Sequence, residues 1–120
     1  MYYPDRAQEI ALENEQQYHL AAWFKSGGEL TFGTNSDKCS ARFRRQYKDG
    51  SIGYHLHAEM DLLLKMGHNI ADEICVIRFK KNGDITMAKP CRYCQKFLKT
   101  YGVKRVRYTN WDGKWESMRL

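Results

Sequence analysis

Glu73-Ile74-Cys75-Val76-Ile77-Arg78-Phe79-Lys80 is the stretch on which the fold turns. Its apolar run, Ile74 to Ile77, is continuous rather than alternating, as in a strand buried on both faces at the centre of a sheet. The neighbouring segments supply what would cover those faces. Upstream, Ala58 to Met66 reads as a helix apolar on most sides (Met60, Leu62, Leu63, Leu64, Met66), with Gly67 suited to its C-terminal cap. Before it, Tyr18 to Lys25 and Glu29 to Thr34 read as two strands joined at Ser26-Gly27-Gly28, and Asp5 to Gln17 as an acidic amphipathic helix with Ile10 and Ala11 among its apolar positions. Residues Ser36 to Leu56 form a long loop or short irregular elements, broken at Asp49-Gly50 and Gly53.

Downstream, Asn82-Gly83 turns the chain, and Ile85 to Ala88 leads into a helix over Cys91 to Tyr101. Phe97, Leu98 and Tyr101 give that helix its inner face, and Gly102 ends it. Lys104 to Thr109 alternates and reads as a strand. Trp111-Asp112-Gly113 is a turn signal before a last strand, Lys114 to Leu120. Strands joined by so few residues must run antiparallel, because a parallel pair needs a crossover of a dozen residues or more. The order α-β-β-α-β-α-β-β predicts an α/β fold: a three-layer α/β/α sandwich with a mixed, roughly five-stranded sheet ending in an antiparallel hairpin.

At 120 residues, the chain suits a single domain with a real core. A hydrophobic content of 42% with 13% aromatics is that of a globular protein, and no apolar run is long enough to span a membrane. The N-terminus lacks a basic stretch followed by an apolar one, so no signal peptide is expected. Four cysteines, two of them suited to metal, do not make a disulfide framework. A reducing, cytoplasmic setting is the expectation.

His57-Ala58-Glu59 and Pro90-Cys91-Arg92-Tyr93-Cys94 carry the chemistry. His57, Cys91 and Cys94 supply three zinc ligands, which leaves a fourth position for water, as in catalytic rather than structural zinc sites. Glu59 stands beside that position without ligating. Pro90 is tolerated in a first helical turn, and Cys91 and Cys94, three apart, then share one helix face. Two helix N-termini would converge on the metal and favour thiolates. A CxxC alone is often a structural knuckle or redox pair, and closing a four-ligand site would take another donor from Cys39, Cys75, His19, His55 or His68. Cys75, in its apolar run, reads as a packed small hydrophobe. Cys39 sits in a polar stretch, and His55 lacks a Glu at the offset that His57 has.

H-x-E…P-C-x-x-C is the signature of zinc nucleobase deaminases, and at these residues the chain resembles the cytidine deaminase superfamily. Gly33-Thr34-Asn35, closing the early hairpin, is similar to that family's G-x-N. The resemblance implies a cytidine deaminase-like fold, Zn2+ held by His57, Cys91 and Cys94, Glu59 as proton shuttle, and Asn35 on the sugar of the target nucleotide. It also places Ala58 and Lys89 at the substrate pocket, Lys89 standing where the family often has a small residue or Ser. The terminal hairpin resembles the cytidine deaminases more than the tRNA adenosine deaminases. Tyr54 and Trp111 are the aromatics expected nearest the base.

The substrate has to be read from charge. The net charge is +6, and Arg78 to Arg107 holds ten basic residues against one acidic. Lys38, Arg42, Arg44, Arg45 and Lys48 add to this in the loop, with Phe43, Tyr47 and Tyr54 interleaved. Basic and aromatic residues in a loop leading straight into a metal ligand suit single-stranded nucleic acid, with Arg42, Arg44, Arg45 and Lys48 as backbone contacts. The expected activity is deamination of cytosine to uracil in single-stranded DNA or RNA. A free cytidine, deoxycytidine or dCMP deaminase of pyrimidine salvage is the alternative, and a non-catalytic zinc-stabilised binding domain a third.

Overall fold

A computed structural model describes residues 3–67 and 71–120. Its elements run α1 (Asp5–Glu13), β1 (His19–Ser26), β2 (Glu29–Thr34), a 3-10 turn (Ala41–Phe43), β3 (Arg45–Gln46), β4 (Ile52–Gly53), α2 (Ala58–Met66), β5 (Glu73–Phe79), β6 (Ile85–Thr86), α3 (Arg92–Thr100), β7 (Arg105–Thr109) and β8 (Trp115–Arg119). Among the described residues the result is a compact α/β unit with three α-helices and a mixed sheet.

The main sheet follows the order β2-β1-β5-β7-β8, with the two-residue β6 added beside the end of β5. β5 pairs antiparallel with β1 and parallel with β7, and β7 and β8 close as an antiparallel hairpin. β5 is therefore the central strand that its unbroken apolar run predicts. Its residues divide by parity. Ile74 and Val76 pack with Ala22, Phe24, Val106, α2 and α3, whereas Ile77 and Phe79 join Ala21, Trp23 and α1's Ala7 and Ala11.

The expected helix from Asp5 to Gln17 stops at Glu13, because the Asn14 side chain draws the chain off its axis. Its Nδ2 donates to Thr34 Oγ1 and Asn35 Oδ1 at 2.9 Å each, while its Oδ1 accepts from the Gln16 N–H, an Asx turn. The long loop is more ordered than the sequence suggests. A small β3–β4 hairpin holds it, and Phe43, completely buried, anchors it edge-on to Phe97 of α3 at 5.1 Å. Burying such a ring stabilises the attachment by roughly 1.5–3 kcal/mol.

Among the described residues no helix is long and apolar enough to cross a membrane.

Candidate metal centre

The site forms where two helices begin. His57 is the N-cap of α2, and Cys91 the N-cap of α3, its Sγ accepting from the Cys94 N–H at 3.4 Å. Pro90 therefore lies one residue before the cap rather than in the first turn. Glu59 and Asp61 put two carboxylates in the first turn of α2, where the helix dipole favours negative charge. Gly33 of β2 lets that helix sit close. A Cβ there would come within 2.5 Å of the Ala58 carbonyl oxygen and the Leu62 nitrogen, so only glycine allows this approach. Asp61 secures the same contact by accepting from the Thr34 N–H at 3.0 Å.

His57, Cys91 and Cys94 converge, with ligand atoms all within 4.8 Å of one another, close enough to hold one metal ion. His57 Nδ1 lies 3.2 Å from Cys94 Sγ and 3.6 Å from Cys91 Sγ. Cys94 is fully buried and Cys91 exposed, so the cluster opens on one side. The Cys94 thiol donates to Cys91 and, with His57, holds Cys91 down to about 4. That same hydrogen bond, then burial and the nearby Glu59, push Cys94 well above the ordinary thiol range. Glu59 is almost completely buried, and burial raises its carboxyl above the usual range, against the opposing pull of His57.

Arg45 is the residue the sequence reading misplaces. It belongs to the buried interior, only 3% exposed, and not with the exposed cations Arg42, Arg44 and Lys48. Its Nε donates to Tyr47 Oη at 2.9 Å, Nη1 to the Phe43 carbonyl at 2.9 Å and to Met60 Sδ at 3.5 Å, and Nη2 to the His55 carbonyl at 2.8 Å. Nη2 also lies 3.4 Å from His57 Nε2. Every nitrogen of the guanidinium is engaged, and none reaches a phosphate outside. No local signal marks this, because Phe43 ends a 3-10 turn and Arg45 opens a two-residue strand, so no alternation connects them.

The loop still reaches the metal helix. Tyr93, between the two cysteines in the chain, donates its hydroxyl to the Gln46 carbonyl at 2.8 Å and packs edge-on against Tyr47 at 5.4 Å. Arg92 lies over the Tyr93 ring, 5.0 Å from its centre. Tyr47, Lys48, Asp49, Arg92 and Tyr93 thereby line a shallow cleft. Nothing in the sequence pairs Tyr93 with Gln46, since they are 47 positions apart.

The remaining candidates are placed as follows. Asn35 closes β2 with its amide engaged at both ends: Oδ1 accepts from the Leu20 N–H at 3.0 Å and from Asn14, and Nδ2 donates to the Tyr18 carbonyl at 2.8 Å. Ala58 is fully buried, Lys89 exposed, and Tyr54 partly exposed in the segment entering His57. Trp111, 71% exposed, stands in the β7–β8 turn and lines a surface cleft with Lys80, Asp84 and Ile85. Cys39 pairs through its backbone with His55, and Cys75 lies on the central strand, where burial raises its thiol to about 11. Neither joins the metal group, nor does His19, whose ring Nδ1 lies 3.0 Å from the Ala11 carbonyl. His68 lies outside the described residues.

No family model matches the chain, and no curated protein matches it.

Proposed function

We propose that the chain is a zinc-dependent deaminase that converts cytosine to uracil, with single-stranded DNA or RNA as substrate. The observation that carries the reading is the grouping of His57, Cys91 and Cys94 around an open side, with the buried Glu59 beside Cys94. The donor set fits zinc. Metal distances of about 2.0–2.1 Å to nitrogen and 2.3 Å to sulfur at tetrahedral angles separate a histidine nitrogen from a thiolate by about 3.5 Å, against the 3.2 and 3.6 Å found here. One imidazole and two thiolates also match the preference of zinc for nitrogen and sulfur over the all-oxygen shells of magnesium or calcium. The helix on one sheet face and two helices on the other support a three-layer, cytidine deaminase-like arrangement.

Zinc bound there would lower the pKa of a water molecule to about 7 and so supply a nucleophile at neutral pH. The chain's own residues would do the rest. Glu59, with its proton affinity raised by burial, takes up a proton and delivers it to the ring nitrogen next to the reacting carbon, then to the departing amine. Attack at C4 of cytosine, loss of ammonia and formation of uracil complete the reaction. Arg42, Arg44 and Lys48, exposed on a loop bonded to α3 through Tyr93, would hold a strand whose base enters the open side.

The reading is tested by offering zinc-loaded protein cytidine, dCMP, and cytosine-containing single and double strands, and scoring uracil. Uracil in the single strand is expected. Turnover of free nucleoside or nucleotide alone transfers the reading to pyrimidine salvage, to which Arg45's withdrawal from the surface lends weight. No uracil from any of them, with zinc bound, leaves a zinc-stabilised binding domain.

A further inference from the structure

The metal centre lies on the α2–α3 side of the sheet. The opposite face carries a second feature that the site does not use. There α1 packs across β1, β2 and β5, and Arg105, Arg107, Ser117 and Arg119 of β7 and β8 are exposed. Register brings them together. Arg105 pairs across with both Glu73 and Arg119, and Arg107 with Cys75 and Ser117, so three arginines occupy two adjacent rows of one sheet face.

Their charge is largely uncompensated. Arg105 is paired with Glu73 at 2.9 Å, but among the described residues neither Arg107 nor Arg119 has an ion-pair partner. Like charges placed directly opposite across two strands are destabilising, and Arg105 and Arg119 are so placed. Solubility does not require the arrangement. Protection of a sheet edge would account for a cation on β8, the outermost strand, but not for Arg105 and Arg107 on β7, which is paired on both sides. A half-buried indole adjoins the patch: the Arg107 guanidinium lies over Trp115 at 5.7 Å, and Trp115 packs edge-on against the buried Trp23 at 5.9 Å.

We infer that this face is a second nucleic-acid-binding surface, gripping the phosphodiester backbone without reading sequence. Planar guanidinium groups match phosphate oxygens in bidentate fashion better than ammonium groups do, and the patch is built of arginine, not lysine. An acidic peptide presents no phosphate to the guanidinium forks, and an anionic lipid surface would call for exposed apolar side chains that insert, of which β7 and β8 present none. The inference concerns binding alone and does not rest on the deaminase reading, so either can fail without the other.

Binding of a short labelled single-stranded DNA of mixed sequence, followed by anisotropy between about 50 and 200 mM salt, tests it. The double variant Arg107→Ala/Arg119→Ala should weaken binding and flatten the log–log salt slope by roughly 0.7 for each phosphate that is no longer neutralised. Lys81→Ala, an exposed cation in the β5–β6 turn, should leave the slope unchanged. Because the arginines are exposed and Arg119 opposes Arg105, Arg119→Ala should melt no lower than the parent, which keeps a folding defect from imitating the result. The inference is overturned if the double variant keeps the parental slope, if Lys81→Ala lowers it equally, or if polyglutamate or anionic vesicles bind this face as tightly as the strand.

Discussion

Arg45 Nη2 lies 3.4 Å from His57 Nε2, with the Nδ1 of the same ring 3.2 Å from Cys94 Sγ. A guanidinium can only donate. It can therefore bond to Nε2 only through a lone pair on that nitrogen. One buried cation thus connects the loop before α2 to the imidazole that heads it.

Arg45→Met should lower stability by roughly 1–3 kcal/mol, since the Phe43 and His55 carbonyls lose their donor in a buried setting. Because Arg45 has no phosphate to touch, strand binding by any folded Arg45 variant should keep the parental salt slope, whereas Arg44→Ala flattens it by roughly 0.7. Thermal melts and salt titrations of both variants check this. A flattened slope in a folded Arg45 variant would return that residue to the strand-binding surface.

Wild-type protein should carry one zinc per chain, and Cys91→Ala should lose it, by elemental analysis after exhaustive dialysis. Apparent zinc affinity should rise with pH. Cys94 is held protonated above the ordinary thiol range by its bond to Cys91, and binding has to displace that proton. Affinity independent of pH, or zinc retained by Cys91→Ala, would sink the ligand assignment.

Glu59→Gln should fold and bind zinc like the parent while turnover of cytosine falls by roughly 10²–10⁴-fold, the contribution of a positioned acid or base. Substantial residual turnover would reduce Glu59 to a carboxylate favoured by the α2 dipole.

The thiols should separate by pH in chelator-treated protein. Cys91, held to about 4, is a thiolate throughout the neutral range, so its alkylation by iodoacetamide should be fast and nearly flat from about pH 6 to 9. Cys75, raised to about 11 by burial, should react slowly and accelerate as the pH climbs toward that value. Zinc should protect Cys91 and leave Cys75 unchanged. Peptide mapping at several pH values reads all three effects.

Gly33→Ala should cost roughly 1–3 kcal/mol or more, the range for forcing atoms into a packed interior. The added Cβ would meet α2 backbone rather than a flexible side chain. Displacing α2 moves both His57 and Glu59, so zinc affinity should fall along with the melting temperature. A variant that melts like the parent would show that β2 and α2 can separate without loss.

The chain itself determined its main helices and strands and the identity of the metal group. Ile74 to Ile77 marks the central strand because burial on both faces leaves no polar alternation to interrupt it. Ala58–Met66 has the bounds its apolar pattern predicts, since a helix pressed onto a sheet shows its length in side chains. HxE and PCxxC bring three ligands together because each sits at a helix start, where the local chain already fixes the direction of the side chain.

Tertiary structure alone decided which polar residues in the long loop face outward. Arg44 and Arg45 are adjacent cations with the same local propensities, yet one is solvated and the other is buried on His57. The difference arises from where Phe43 is anchored on α3 and from the acceptors that the His55 and Phe43 carbonyls present. The bond from Tyr93 to Gln46 and the three-arginine cluster on β7 and β8 are of the same kind. They depend on strand register and on contacts between segments distant in the chain, and no local pattern encodes those distances.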